Sequence, residues 1–150
     1  MERAIGLALE AEHGGNLPIG AVIVLDGQIV AEGASAIAVP AYDPGRHAET
    51  EALSRVAGNL WTQAAGMTCY TTLEPCLMCY GSLLLHGVGR IVFGAIDPRG
   101  GASSILSHLP PFYSDGAIVP ECVGPVLPAR CDPLYLRARR AFEELSTPGR

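Results

Sequence analysis

Residues 67–96, MTCYTTLEPCLMCYGSLLLHGVGRIVFGAI, decide the fold class because strand-like and helix-like segments alternate along them. Residues 67–73 predict a strand, residues 76–86 predict an apolar helix, and residues 90–96 predict the next strand. Strands that alternate with helices are typical of a layered α/β protein. The pattern therefore predicts an α/β fold whose sheet is partly parallel.

The segments before this unit add a hairpin and two helices. Residues 2–12 and 47–56 have helical spacing of their apolar positions. Residues 19–25 and 28–34 predict two strands, and the Asp26-Gly27 pair between them is a strong signal for a hairpin turn. The first two strands are therefore expected to be antiparallel neighbours.

The segments after it are less regular. Residues 97–104 predict a loop rich in glycine and serine. A short strand is predicted within residues 116–122, and a last helix is predicted from about residue 132 to residue 145. The last strand would bring the sheet to five strands.

Composition limits the class of protein. The chain has 150 residues, of which 49% are hydrophobic and 17% are charged, so disorder is excluded and one domain over residues 1–150 is expected. The mean hydropathy of +0.27 suggests apolar surface buried between subunits. Residues 19–25 are far shorter than the roughly 20 residues of a membrane-spanning helix. The net charge of −5 favours a small substrate over nucleic acid.

The cysteines point to a metal site. Their number, five, is odd, and Cys76 and Cys79 lie three positions apart, so reduced thiols and a metal site are expected instead of a disulfide framework. We accordingly expect a cytoplasmic protein.

Three potential ligands stand at predicted helix starts. Cys76 and Cys79 share one face of a helix, where the positive helix end stabilises their thiolates, and His47 begins another helix. Three protein ligands leave a position open for water, as in catalytic zinc sites, whereas structural zinc usually has four. Glu49, two residues after His47, could take a proton from that water if the metal lies at the helix end.

The segments His47-Ala48-Glu49 and Pro75-Cys76-x-x-Cys79 resemble the signature of the zinc-dependent cytidine/deoxycytidylate deaminase superfamily. Residues 17–22, 72–76 and 89–95 resemble the branch that holds bacterial tRNA adenosine deaminases and guanine deaminases. The resemblance covers roughly residues 2 to 104. It implies a three-layer α/β/α deaminase fold with a mixed five-stranded sheet, and a homodimer.

The resemblance also implies a role for particular residues. His47, Cys76 and Cys79 would hold one Zn²⁺ per chain, and Glu49 would carry protons during hydrolytic removal of an exocyclic amine. The backbone carbonyl of Glu74 would contact the leaving amine. The other substrate contacts expected are Ser35, Ala48 and Asp97.

Two departures from the family bear on the substrate. Ser35 stands where the family usually has an asparagine, and a hydroxyl cannot present the donor and acceptor pair of an amide. Asn16 is a candidate to compensate. The loop after the strand of residues 90–96 has Arg99 as its only cation, whereas tRNA deaminases have a basic loop there.

Three functions remain open at this stage. We favour a deaminase of a free base, a nucleoside or a related ring, because the chain is acidic and the asparagine is absent. The alternative is a tRNA adenosine deaminase that makes inosine at the wobble position. Its support is the closeness of residues 72–95 to that group, and the arginines 137, 139 and 140 resemble the basic last helix of the tRNA enzymes. The third is a non-catalytic zinc-binding interaction protein, which the presence of Glu49 argues against.

Overall fold

The computed structural model describes residues 1–115 and 119–146. Five strands form one sheet in the order β2-β1-β3-β4-β5. The β1 strand pairs antiparallel with β2 and β3, whereas β3, β4 and β5 are parallel to one another. The sheet is therefore mixed, as expected. The strands are Gly20–Leu25, Gln28–Ala34, Thr68–Leu73, Arg90–Ala95 and Glu121–Val123, numbered β1 to β5 in chain order.

Helices cover both faces of this sheet. Side chains of α2 and α3 pack in one apolar cluster, and side chains of α1 and α5 pack in a separate one. The predicted three-layer α/β/α architecture is thereby confirmed. The helices are Glu2–His13, Ala48–Leu53, Leu77–Leu85, Pro111–Ser114 and Pro128–Leu145, numbered α1 to α5 in chain order.

Close backbone contacts fix how α1 and α2 lie on the sheet. A Cβ atom at Gly20 would come within 2.7 Å of the nitrogen of Ala8 in α1. A Cβ atom at Gly33 would come within 3.0 Å of the Cα of Ala52 in α2, and closer still to the carbonyl oxygen of Ala48. Both glycines are therefore required by helix-to-strand packing, which brings the start of α2 to the sheet.

The C-terminal elements differ from the sequence prediction. The last helix begins at Pro128, four positions before the predicted start, and Pro133 lies inside it. Its first turns are stabilised by tertiary packing, because Cys131 is fully buried against Gly94 of β4. The predicted strand at residues 116–122 is observed as β5, and residues 116–118 lie outside the described residues.

Two 3₁₀ segments were not predicted. Gly58–Gly66 links α2 to β3, and Ser103–His108 follows the loop after β4, which the sequence predicted as irregular up to residue 104. Within the single chain, the apolar residues of α3 are buried on one side of the helix and exposed on the other. Leu77 and Leu85 are 62% and 66% exposed, while Tyr80 and Leu83 are buried.

No helix within the described ranges is long and apolar enough to span a membrane. All five cysteines are free, in agreement with the expectation of reduced thiols.

Candidate metal centre and active site

His47 and Cys76 occupy equivalent places in the fold. Each is the N-cap residue of a helix, with extended backbone, directly before α2 and α3 respectively. Cys79 lies in the first turn of α3 and is fully buried. The layered packing of α2 and α3 on one face of the sheet brings these three residues together, although 29 residues separate His47 from Cys76 along the chain.

The geometry of this cluster fits a tetrahedral zinc ion. His47 Nδ1 lies 3.6 Å from Cys76 Sγ and 3.4 Å from Cys79 Sγ, and the three potential ligand atoms lie within 4.8 Å of one another. Zinc–sulfur and zinc–nitrogen bonds of normal length put neighbouring tetrahedral ligand atoms about 3.6 Å apart. The donor set of one imidazole and two thiolates also suits zinc.

The electrostatics of the cluster favour a bound cation. Hydrogen bonding from the Cys79 thiol and from His47 lowers the pKa of Cys76 to about 4, despite its partial burial. The thiolate so formed raises the pKa of His47, chiefly through their hydrogen bond. Protons are thus shared between closely placed ligand atoms, and a metal ion can replace them.

Glu49 lies next to the cluster on the side of the sheet. Its carboxyl group is 3% exposed, and burial raises its pKa. Thr71 in β3 donates a hydrogen bond of 3.0 Å to Glu49 Oε1, and the Cys79 thiol lies 3.4 Å from Oε2. The hydrogen bond from Thr71 orients the carboxylate beside the candidate metal ligands, at a place where it can exchange protons with a bound molecule.

A cavity of about 650 Å³ opens in front of these groups. His47, Glu49 and Cys76 lie at one end of it, and Glu74 and Asp97 line its wall. The α5 helix forms the opposite wall with Tyr135, Ala138, Arg139, Phe142 and Glu143. The cavity therefore extends from the candidate metal centre to residues of α5.

The expected substrate contacts occupy different places. Glu74 and Asp97 line the cavity, whereas Ser35 and Ala48 are not among its lining residues. Ser35 is buried, and its hydroxyl has no hydrogen-bond partner within residues 1–115 and 119–146. Ala48 is fully buried, with its carbonyl oxygen against Gly33.

The amide of Asn16, a candidate to replace the family's asparagine, forms hydrogen bonds with the backbone of a loop. Its Oδ1 accepts hydrogen bonds from the backbone of Ala38 and Val39 at 2.9 and 3.1 Å, and its Nδ2 donates to the oxygen of Val39. Asn16 thus holds the loop after β2, and it is absent from the lining of the cavity.

Asp97 forms hydrogen bonds within its own loop and with α5. Its Oδ1 accepts a hydrogen bond of 3.0 Å from the backbone of Arg99, which stabilises the turn. The same oxygen accepts one of 3.3 Å from the hydroxyl of Tyr135 in α5. Asp97 is therefore both a turn-forming residue and part of the cavity wall.

Sequence reasoning missed Thr71 and Tyr135. Alternation along residues 67–73 places Thr71 on the same face of the strand as the apolar residue Cys69, and this pattern is a local signal for a buried hydroxyl. No comparable local signal existed for Tyr135, because its contact with Asp97 spans 38 residues and two elements.

Comparison with known proteins identifies the family. Residues 1–95 match the model of the cytidine and deoxycytidylate deaminase zinc-binding region. The chain belongs to this family. Its zinc cofactor and its class, an enzyme that hydrolyses C–N bonds, are thereby confirmed, and a purely structural zinc-binding role is not supported.

Individual relatives extend the match. A tRNA-specific adenosine deaminase of Bacillus subtilis is 42% identical over 110 residues, 73% of this chain and 68% of that protein. A tRNA(Ile)-lysidine synthase of Deinococcus deserti is 37% identical over 147 residues, 97% of this chain but 26% of that protein. A structure from work on A-to-I editing by tRNA:A34 deaminases has a TM-score of 0.77 at 28% identity, covering 89% of this chain and 96% of its own.

Proposed function

We propose that the protein is a tRNA adenosine deaminase that forms inosine at the wobble position. The observation that carries this proposal is the 42% identity to the deaminase of Bacillus subtilis. The similarity to a structure from work on editing at the wobble position of transfer RNA supports it. The small-molecule substrate that we favoured from the sequence has no comparable support among the relatives.

In this proposal His47, Cys76 and Cys79 hold zinc, and Glu49 is the catalytic residue. Bound zinc supplies a Lewis acid that makes water a nucleophile near neutral pH. Glu49 takes a proton from the attacking water and gives it to the ring nitrogen beside the carbon that is attacked. The second proton of that water then reaches the exocyclic amine, the C–N bond breaks, ammonia leaves and an oxo group remains on the ring. The raised pKa of its buried carboxyl group suits an acid that must also release its proton.

The remaining groups hold the reacting partners in place. Thr71 fixes Oε1 of Glu49 by a hydrogen bond, so the carboxylate moves the proton from a defined position. The carbonyl of Glu74 and the side chain of Asp97 are proposed to contact the base, since both residues line the cavity. Ser35 and Ala48 remain predicted substrate contacts. Because neither residue lines the cavity, the base would have to extend past the lining residues to reach them.

The charged residues that line the cavity support a second candidate function. Arg99 and Arg139 both line the cavity, and each forms an ion pair with Glu143, at 3.7 and 2.9 Å. The two arginines share one carboxylate on a chain of net charge −5, so part of the positive charge available to phosphates is compensated here. That observation favours a free base or nucleoside as the second candidate.

Release of ammonia from a panel of substrates tests the proposal. The panel contains an anticodon stem-loop with adenosine at the wobble position, free adenosine, adenine, guanine and cytidine. We expect activity on the stem-loop alone, with binding that weakens steeply as salt rises, because phosphate contacts release counterions. Activity confined to a free base or nucleoside would refute the RNA substrate and favour the second candidate.

The variant Glu49→Gln tests the catalytic assignment. Loss of the proton carrier should lower kcat by about 10²- to 10⁴-fold. Zinc content should stay at one ion per chain, because Glu49 is not one of the three ligands. Glu10→Gln, which changes an exposed carboxylate on α1, is the matched control and should behave as the wild type. Undiminished activity of Glu49→Gln would contradict the assigned role.

We also infer that a second copy of the chain covers the outer face of α3. Leu77, Met78 and Leu85 are 62%, 40% and 66% exposed on this face, next to the metal ligands Cys76 and Cys79. Burying such a set removes apolar area from water, which favours association. A homodimer would thus place the partner chain close to each active site.

We propose that residues 1–150 form a single deaminase domain that works in the cytoplasm. The packing of α5 on β3 and β4 supports one domain, since the last helix forms a wall of the same cavity as the metal ligands. The free state of all five cysteines is in keeping with a reducing compartment.

A further inference from the structure

The side chain of Glu74 is buried at the end of β3, directly before Pro75 and Cys76, and the proposed chemistry does not use it. Its carboxylate accepts hydrogen bonds from the backbone N–H of Asp97 at 3.0 Å and of Ser103 at 3.3 Å. The hydroxyl of Ser103 donates a further, short hydrogen bond to it. One carboxylate therefore satisfies donors at both ends of the loop 97–103.

The same loop also contacts the segment that carries the metal ligand. The N–H of Ala102 donates to the oxygen of Pro75 at 2.9 Å, and Gly101 forms an antiparallel bridge with Cys76. A Cβ atom at Gly101 would overlap the Glu74 carboxyl group and would come within 2.6 Å of the oxygen of Asp97. The loop is thus closed tightly around the carboxylate, with a glycine where the approach is closest.

This loop carries part of the cavity wall. Asp97, Arg99 and Gly100 line the cavity, and Asp97 contacts Tyr135 of the opposite wall. The backbone of Asp97 is attached to Glu74 by a hydrogen bond to a charged group, which is stronger than one between neutral groups. This hydrogen bond links the Glu74 side chain to a residue of the cavity wall.

We propose that the Glu74 carboxylate is a positioning residue for substrate binding, which holds the loop 97–103 against the metal-ligand segment. The inference rests on the proposed function for its substrate, an adenosine-containing stem-loop. The two parts of Glu74 then have different roles. Its backbone carbonyl contacts the leaving amine, and its side chain acts on the loop 97–103. A residue that only satisfied buried donors would affect stability alone.

Glu74→Gln is the informative variant because it keeps the shape and removes one acceptor. Ser103 Oγ can turn to accept from the new amide, but a backbone N–H cannot, so either Asp97 or Ser103 loses its partner. We expect KM for the stem-loop to rise at least about tenfold, with kcat within about threefold and zinc content unchanged. Glu121→Gln, an exposed carboxylate paired with Arg90, should leave all three unchanged.

Hydrogen exchange measured by mass spectrometry gives a readout that needs no activity. Amides of the loop 97–103 should exchange faster in zinc-loaded Glu74→Gln, while those of α2 keep the wild-type rate. If the wild type acts on a nucleoside and not on the stem-loop, the proposed function fails, and the same KM comparison on that nucleoside still tests the role of Glu74.

Three results would overturn the inference. An unchanged KM with a lowered Tm would show a purely structural role, and loss of zinc together with kcat would show that Glu74 supports Cys76 and not the loop. Ser103→Ala removes one donor of the three and should raise KM about threefold. If Glu74→Gln does not fold, an unchanged KM in Ser103→Ala overturns the inference.

Discussion

Replacement of Gly33 by alanine tests how the sheet positions the catalytic helix. The φ angle of Gly33 is not in the left-handed region, so alanine meets no backbone strain there, and only the packing against α2 opposes it. The new Cβ would lie 3.0 Å from the Cα of Ala52, where ordinary contacts are 3.4–4 Å, and would overlap the oxygen of Ala48 and the nitrogen of Ala52. The atoms it meets are backbone, so the whole helix must move.

The size of the effect follows from that displacement. Relief of the overlap moves α2 away from β2 by about 1 Å. Overpacking of this kind costs about 3 kcal/mol of unfolding free energy, which corresponds to a fall in Tm of about 6–12 °C for a chain of this length. His47 and Glu49 lie at the start of α2, and a misplacement of about 1 Å at a reacting group lowers activity by about 10²-fold.

Thermal unfolding of the zinc-loaded protein and ammonia release together measure both effects. Gly58→Ala is the matched control, since a Cβ there meets nothing within 4 Å, and its unfolding free energy should stay within about 0.5 kcal/mol of the wild type. A Gly33→Ala protein with wild-type Tm and activity would show that this contact does not position α2, and the reasoning would be wrong.

Three further predictions concern the site and the outer face of α3. Thr71→Val should lower kcat about tenfold or more without changing KM or zinc content, because Glu49 Oε1 loses its hydrogen-bond donor. Thr71→Ser keeps the hydroxyl and should retain most of the wild-type kcat. A Thr71→Val protein with the kcat of the wild type would refute this role of Thr71. Removal of zinc by a chelator should lower the Tm measured by calorimetry, because the ion binds only the folded ligand set, and a Tm independent of zinc would contradict the ligand assignment. Leu85→Glu places a charge on the exposed apolar face of α3 and should convert a dimer into a monomer in sedimentation velocity. Leu9→Glu, on the exposed side of α1, should leave the dimer intact. A wild-type protein that sediments as a monomer would exclude the dimer.

Most of the fold could be predicted because its signals are local. Period-two and period-3.6 patterns and a hairpin turn of Asp26-Gly27 locate α1, β1, β2, β3, α3 and β4 to within a few residues. The tail was harder, since α5 begins four residues early. Its first turns are held by the burial of Cys131 under β4, and a propensity argument does not include such a contact.

The exposed face of α3 is another feature that the sequence pattern did not locate. An apolar helix in a sequence predicts burial, but the pattern does not state which chain buries it. In the structure Leu77 and Leu85 are exposed, and the sheet covers only Tyr80, Leu83 and their neighbours. Residues that the sequence assigns to a core can thus belong to an interface between chains.

By itself the sequence predicted the candidate metal ligands, the carboxylate beside them and the order of the elements. His47 with Glu49, and Cys76 with Cys79, are short-range pairs at helix starts, and their chemistry follows from residue type and spacing. Only the tertiary structure showed that Thr71 donates a hydrogen bond to Glu49, that the Glu74 carboxylate accepts hydrogen bonds from the loop 97–103, and that α5 lines the cavity. Those hydrogen bonds join residues 22 to 38 positions apart, and only the packing of the layers brings such residues within reach.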